Sequence, residues 1–303
     1  MSACPVCAAN MGVPVREVNG HTLRHCQRCD LVWADPMRGP GAGWYEAHQE
    51  YLKNLLLGLD SLAWNHAQFF RDLPHRGGEL LDVGCGSGRF LARAAALGYT
   101  VTGFDFNPVA VQVARSRFGL KDVYCASVEE FRVQNPGRRF DVVTAFEVLE
   151  HVEDPRGFLQ TLFRWLRPGG FLALSVPYRD RWPRFGVDEA WDLPPHHLTW
   201  WSRRAMTEAL HRTGFQVQAI RTGWMAGEEI VLAKVRFGLM DRLFRLAQRS
   251  GDPAQAVAWA APVASRMMRV KRMAARLSAF PLNAALRLLG ATGIDMYVLA
   301  QRP

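Results

Sequence analysis

Residues 80–90 read "LLDVGCGSGRF": an apolar run reaches Asp82, and glycines then occupy positions 84, 86 and 88. Three glycines where a buried strand hands over to a helix permit a tight turn and let a ligand approach the backbone. Working outward, Glu79–Asp82 reads as a buried parallel strand and "GRFLARAAALGY" as a helix closed by Gly98. "TVTGFD" is then a second strand ending in Asp105, about twenty residues past the first glycine. This is the strand, glycine turn, helix, strand and acid of nucleotide-binding α/β folds, in which the acid can bind ribose hydroxyls. The spacing is G-x-G-x-G, and Asp82 stands two residues before it. A pyrophosphate on this turn would be repelled by Asp82, whereas a cationic ligand would be helped.

The downstream order extends the pattern. "KDVYCASVEEF" reads as a third strand and a polar loop, and "FDVVTAFEVLEHVEDP" as a fourth strand with a loop-helix beyond it. "FLQTLFRWLRPGGFLALSVP" reads as a helix, a Pro-Gly-Gly turn and a fifth strand; "MTEALHRTGFQVQAIRTG" adds a helix and strand, and "DMYVLAQRP" a last strand. Over roughly residues 75–233 and 294–303 the sequence resembles the class I S-adenosylmethionine-dependent methyltransferases of type 11/23. Their first motif has the E/D-x-G-x-G-x-G form. The resemblance implies an α/β fold with a Rossmann-like seven-stranded sheet. It also implies a sulfonium cofactor held by Asp82, Gly84, Gly86, Gly88, Asp105, Phe106, Ser127, Val128 and Phe146, with Ser127 and Val128 nearest the adenine.

"EVLEH" puts Glu147, Glu150 and His151 just after the fourth strand, where an acceptor should meet the methyl group. If it begins a helix, the three lie at i, i+3 and i+4 on one face. "PPHHLTWWS" adds His196 and His197 in a later loop. Three readings stay open. A magnesium-like ion at Glu147, Glu150, His151 and a later histidine would lower a hydroxyl pKa. Without a metal, His151 or His197 serves as general base, with Glu147 beside the cofactor. In the third, the histidines only hydrogen-bond the loop backbone. "EVLEH" and the later histidine resemble ubiquinone-pathway O-methyltransferases and small-RNA 2′-O-methyltransferases. That resemblance implies an oxygen acceptor on a glycan, quinone-like or lipid-linked molecule; RNA methylation and a non-catalytic cofactor-binding scaffold are the alternatives.

At the amino terminus Cys4-x-x-Cys7 precedes Cys26-x-x-Cys29, the spacing of a paired Cys-x-x-Cys zinc site. Between them "VREVNGHTLRHC" reads as a hairpin turning at Asn19-Gly20. So short a segment has little core of its own, and a structural zinc would supply its folding energy. The expected organisation is a zinc element at 1–35, linker and lid helices at 36–74 with Tyr45 and Tyr51 as lid candidates, the core at 75–233, a helical insertion at 234–293, and a last core strand at 294–303.

The insertion holds the charge. Residues 234–293 contain eleven Lys and Arg against two Asp, the whole of the chain's net +9. "VRFGLMDRLFRLAQR" and "RMMRVKRMAARLSAF" each set an apolar stripe beside an arginine stripe, a pattern that suits an anionic bilayer surface. A substrate cap or a homodimer contact would use the same stripes. Nucleic acid is disfavoured, because Trp259 is the segment's one Trp and it has too few aromatics for base stacking. With 49% hydrophobic residues, no apolar run long enough to span a bilayer, no secretory signal and six cysteines, a cytoplasmic protein is expected, peripheral to the inner face of the membrane if the stripes bind it.

Overall fold

A computed structural model describes residues 3–41, 62–73, 77–181, 192–224, 284–286 and 288–303 of the 303-residue chain. The glycine turn sits in a seven-stranded sheet. In chain order its strands are β4 (Gly78–Val83), β5 (Tyr99–Asp105), β6 (Val123–Cys125), β7 (Phe140–Phe146), β8 (Leu166–Pro177), β10 (Gln216–Trp224) and β11 (Thr292–Gln301). Their spatial order is β10-β11-β8-β7-β4-β5-β6. β6, β5, β4, β7 and β8 run parallel, while β11 enters antiparallel between β8 and β10. The strand order reverses between β4 and β7, the switch point where α/β sheets open a crevice at the strand ends.

Both faces of the sheet are covered, so its central strands are apolar on both sides. Leu81, Val83, Val143, Ala145 and Leu174 pack on one face with α4 (Val128–Gln134), α5 (Pro155–Trp165) and α6 (Arg203–Arg212). Leu80, Val142 and Ala173 face α1 (Trp64–Asp72), α2 (Arg89–Ala96) and α3 (Pro108–Phe118) on the other. The helix boundaries follow from local chemistry. Asn107 caps α3 by accepting the Val109 and Ala110 N–H groups, Pro108 occupies its first turn, and Gly119 ends it in the left-handed region. Asp154 and Ser202 cap α5 and α6 in the same way.

The amino-terminal segment forms a second sheet, ordered β1 (Gly12–Val18), β2 (His21–Cys26), β3 (Val32–Asp35) and β9 (Thr199–Trp200). Asn19 and Gly20 turn the first hairpin with φ of 49° and 77°, the positive values of a two-residue type I′ turn. The fourth strand comes from the loop after β8, so the element expected at 1–35 is completed by core residues. The Pro168-Gly169-Gly170 turn is likewise absorbed into β8: the register passes from Phe140↔Leu166 to Val142↔Phe171, with the turn bulging out between. Of the expected lid helices only Trp64–Asp72 falls within the described residues. Tyr45, Tyr51 and nearly all of the basic insertion lie outside them.

Candidate active site

The cofactor candidates line the carboxyl ends of β4, β5, β6 and β7. Gly84, Gly86 and Gly88 all have positive φ, at 69°, 52° and 76°. Two of them also answer to packing. A Cβ on Gly88 would lie 2.8 Å from the Ala114 Cβ, and one on Gly84 would lie 2.7 Å from Val148 Cγ2. The second contact brings the glycine turn directly against the "EVLEH" segment. Asp105 braces the turn: one carboxylate oxygen accepts the Gly86 N–H at 2.8 Å and the other the Asn107 N–H at 2.9 Å. Each oxygen keeps a lone pair for a ribose hydroxyl. Phe106 is 41% exposed beside it. Ser127 and Val128 do not sit in an open loop, because Ser127 caps α4 in a capping box with Glu130. Phe146 is buried among Phe69, Phe90 and His66.

Asp82 is buried, and its carboxylate accepts the Thr144 hydroxyl at 2.6 Å. Burial pushes its pKa up to about 7, with the Asp105 charge adding to the effect. A buried acid poised there is one that a cation stabilises. Binding of a ligand with a cationic group should therefore strengthen as pH rises through 7. Calorimetry with S-adenosylhomocysteine, which carries an ammonium group, should show affinity falling by up to about tenfold for each unit below that. Asp82→Asn should flatten the profile; an unchanged profile would remove Asp82 from the cation's neighbourhood. Asp105→Ala should weaken the same ligand by about 1–3 kcal/mol, the cost of a lost charged partner. Undiminished affinity would dissociate Asp105 from the ribose.

"EVLEH" does not begin a helix. Glu147 has φ of 55°, a left-handed value for a residue with a side chain, and only Leu149–His151 form a 3₁₀ turn. The i, i+3, i+4 helical face is therefore lost, yet Glu150 still adjoins both others, with its Oε1 3.7 Å from His151 Nε2 and a side-chain contact to Glu147. Glu147 accepts the Ser175 hydroxyl at 2.5 Å, and Asn65 of α1 donates to the same hydroxyl at 2.6 Å. Burial, with Asp295 nearby, raises the Glu147 pKa, and Glu150 is raised well above the carboxylate range for the same first reason. His151 Nδ1 donates to the His196 carbonyl at 2.8 Å, and burial holds its pKa well below the usual value. His197 Nδ1 lies 2.9 Å from Asp192, whose other oxygen meets the Arg181 guanidinium; all three are buried. These bonds direct Nε2 of His151 and His197 elsewhere. His151, His196 and His197 offer ligand atoms that lie within 4.8 Å of one another. His66, flanked by Phe90 and Phe146, has its pKa lowered to about 4 by burial and then by Arg89.

The four cysteines meet as the spacing requires. Cys4 Sγ lies 3.5 Å from Cys29 Sγ, Cys7 Sγ lies 3.5 Å from Cys26 Sγ, and all four are buried. A tetrahedral zinc with bonds of about 2.3 Å needs sulfurs about 3.8 Å apart. The donor set fits.

The pattern of a family described as "Methyltransferase domain" matches residues 58–220. The chain belongs to that family. Among curated methyltransferases, a mitochondrial ubiquinone biosynthesis O-methyltransferase from Schizosaccharomyces pombe is 42% identical over 104 residues, 33% of this chain and 38% of the relative. One from Thiobacillus denitrificans is 38% identical over 111 residues, 35% of this chain and 47% of the relative. The matched stretch thus spans less than half of either methyltransferase. The solved structure of the [4+2]-cyclase SpnF, 20% identical, superposes with a TM-score of 0.55 over 88% of this chain and 98% of its own. It shares the fold of this methyltransferase-domain family member, and a cyclase on this fold means that the fold hosts more than one chemistry. The Rossmann-like sheet and the cysteine cluster expected from the sequence are both present.

Asn65, His66, Ser175, Asp192 and Arg181 join the candidate site unannounced by any motif. Helix and strand patterns carry no mark that distinguishes an inward polar residue of this kind from a core one.

Proposed function

We propose that the protein is an S-adenosylmethionine-dependent O-methyltransferase acting on a quinone-like, glycan or lipid-linked small molecule. One observation carries this reading: the acid–histidine cluster stands against the glycine turn, with Val148 filling the space where Gly84 lacks a Cβ. Two buried acids on the turn, Asp82 and Asp105, suit a cationic ligand that bears a ribose. The O-methyltransferase names of the two relatives support the choice of oxygen as acceptor.

The bound sulfonium would supply an electrophilic methyl carbon. The protein's part is then to hold the two reactants in line, exclude water and take the acceptor's proton. Asp105 would orient the ribose, and Phe106 with the amino terminus of α4 at Ser127 and Val128 would hold the adenine. Of the two candidate bases His197 is the better, because Asp192 holds its Nδ1 and leaves Nε2 for the acceptor, whereas burial and two neighbouring imidazoles disfavour a charged His151. Glu147, turned toward Ser175 and Asn65, would position the acceptor or the methionine end of the cofactor.

Glu150 adjoins both Glu147 and His151, but nothing further supports magnesium at that set. Three imidazoles suit a transition-metal ion better than magnesium, which prefers oxygen. If one binds, His151, His196 and His197 would hold it, and it would lower the pKa of the acceptor hydroxyl. The test of the function is mass spectrometry of cell extracts with and without the protein, followed by transfer of a labelled methyl group to the compound identified. A lost methyl group on nitrogen or carbon would overturn the choice of oxygen.

A further inference from the structure

Leu198 is held from two directions. Its N–H donates to the Glu150 carbonyl at 2.8 Å, and its carbonyl accepts the Ala34 N–H, also at 2.8 Å. The first bond ties it to the turn that carries Glu150 and His151. The second ties it to β3 of the cysteine sheet. His197 is its immediate neighbour, and Leu198 itself is fully buried with Leu23, Ala34 and Trp200 in a small apolar cluster of its own.

We propose that the four-cysteine module is the positioning element of the histidine cluster: the metal held by Cys4, Cys7, Cys26 and Cys29 fixes β3, and β3 fixes the segment 192–201. Three more ties point the same way. The Asn19 side-chain amide donates to the Pro194 carbonyl at 2.8 Å, just ahead of His196 and His197. Arg179, at the end of the core sheet, donates to the Asp30 carboxylate at 2.7 Å, and Asp30 directly follows the metal candidate Cys29. Arg204 of α6 donates to the carbonyl of Arg28, which lies between Cys26 and Cys29. All three anchor residues of the module lie in its two turns, the hairpin tip and the second cysteine turn.

The physical reason is that neither side is self-sufficient. β9 is two residues long, too short to hold itself extended. The three strands share Leu31 and Trp33 with the main core, but without the metal the two cysteine turns lose the bonds that join them. Order therefore passes from the cysteine turns through β3 to β9, and with it to the His196–His197 loop. Zinc loss would disturb the acceptor side of the site while leaving the turn at Gly84–Gly88 untouched, since that turn is braced by Asp105 and by α3. The proposal rests on the zinc assignment of the cysteine site, and on the functional reading only for the ligand used in its test.

Hydrogen exchange on the full chain with S-adenosylhomocysteine bound tests it, because exchange does not depend on knowing the acceptor. After a chelator removes zinc, amides in 192–201 and in the Leu149–His151 turn should exchange at least about tenfold faster, with β4 and β5 unchanged. The proton resonance of His197 Nδ1 against Asp192 should be lost together with that protection. Because stripping can unfold more than intended, Asn19→Gly provides the milder arm: glycine keeps the left-handed turn and removes only the amide. That variant should retain zinc and speed exchange near Pro194–Leu198 about fivefold, the worth of one hydrogen bond. If β1–β3 exchange freely in the zinc-free protein while 192–201 stays protected, the core alone positions the histidines and the proposal fails. An unmoved segment in Asn19→Gly would count equally against it. A chain that carries no zinc as purified, yet shows full protection, would remove the zinc assignment and the proposal together while leaving methyl transfer untouched.

Discussion

His197→Ala should lower methyl transfer about a hundredfold while leaving the affinity for S-adenosylhomocysteine within about twofold. The separation follows from where the side chain sits. His197 is fixed by Asp192, and Asp192 in turn by Arg181, all buried on the acceptor side of the 3₁₀ turn. Their described hydrogen bonds go to one another and to the loop around them. Losing the imidazole removes the group that would take the acceptor's proton, and it leaves the cofactor's contacts in place. Asp192→Asn should retain only part of the activity. The carboxylate accepts from Nδ1 and so fixes the ring and its tautomer, a task that an amide does less well. Equal turnover in wild type and both variants would reduce the three residues to loop scaffolding. Loss of S-adenosylhomocysteine binding in His197→Ala would place the cluster on the cofactor instead.

Removing the metal from the cysteine site should have the largest effect on stability. Protein purified without added metal should contain about one zinc per chain, and apparent zinc binding in comparable small Cys-rich modules is worth about 10–16 kcal/mol at neutral pH. Four buried sulfurs without the ion would crowd charge or carry four thiols in a space sized for a metal. The stripped protein should therefore lose β1, β2 and β3 at temperatures where the seven-stranded sheet persists, giving two melting transitions in place of one. Cys29→Ser should act in the same direction, because a hydroxyl is a poor zinc ligand and Cys29 belongs to the turn that anchors Arg179 through Asp30. Identical melting with and without metal would leave the cysteines as ordinary core residues.

Much of the cofactor half of the site was legible in the sequence because its signals are local. A strand, a glycine turn and an acid at fixed offsets impose one geometry, and β4, β5 and the turn at Gly84–Gly88 appear where that pattern sets them. The four cysteines were legible for the same reason: ligand spacing survives without knowledge of the fold. The acceptor half was not. Helical periodicity suggested a shared face for Glu147, Glu150 and His151, but the chain takes a left-handed step at Glu147, and a single backbone dihedral leaves no trace in residue spacing. The consequence is that Glu147 faces Ser175 and Asn65, residues that arrive from β8 and α1. Long-range partners such as these have no sequence signature. The same holds for β9, a two-residue strand from the core that completes a sheet begun at residue 12.

The pairing of β10 with β11 bears on how this chain could change over generations. Trp224 lies opposite Thr292, and the backbones of Gly223 and Gly293 approach so closely that a Cβ on Gly293 would fall 2.8 Å from the Gly223 carbonyl carbon. The segment between them, with its concentration of arginine, thus leaves and re-enters the fold at nearly the same point. Material with adjoining ends can be gained, shortened or exchanged for a tight hairpin without moving either strand, because closing a longer loop adds little entropy cost per doubling. Descent could therefore refit that edge of the molecule wholesale, as a cartridge, at the same carboxyl end of the sheet where Asp295 stands near Glu147, while β4, β5 and the glycine turn between them keep their places.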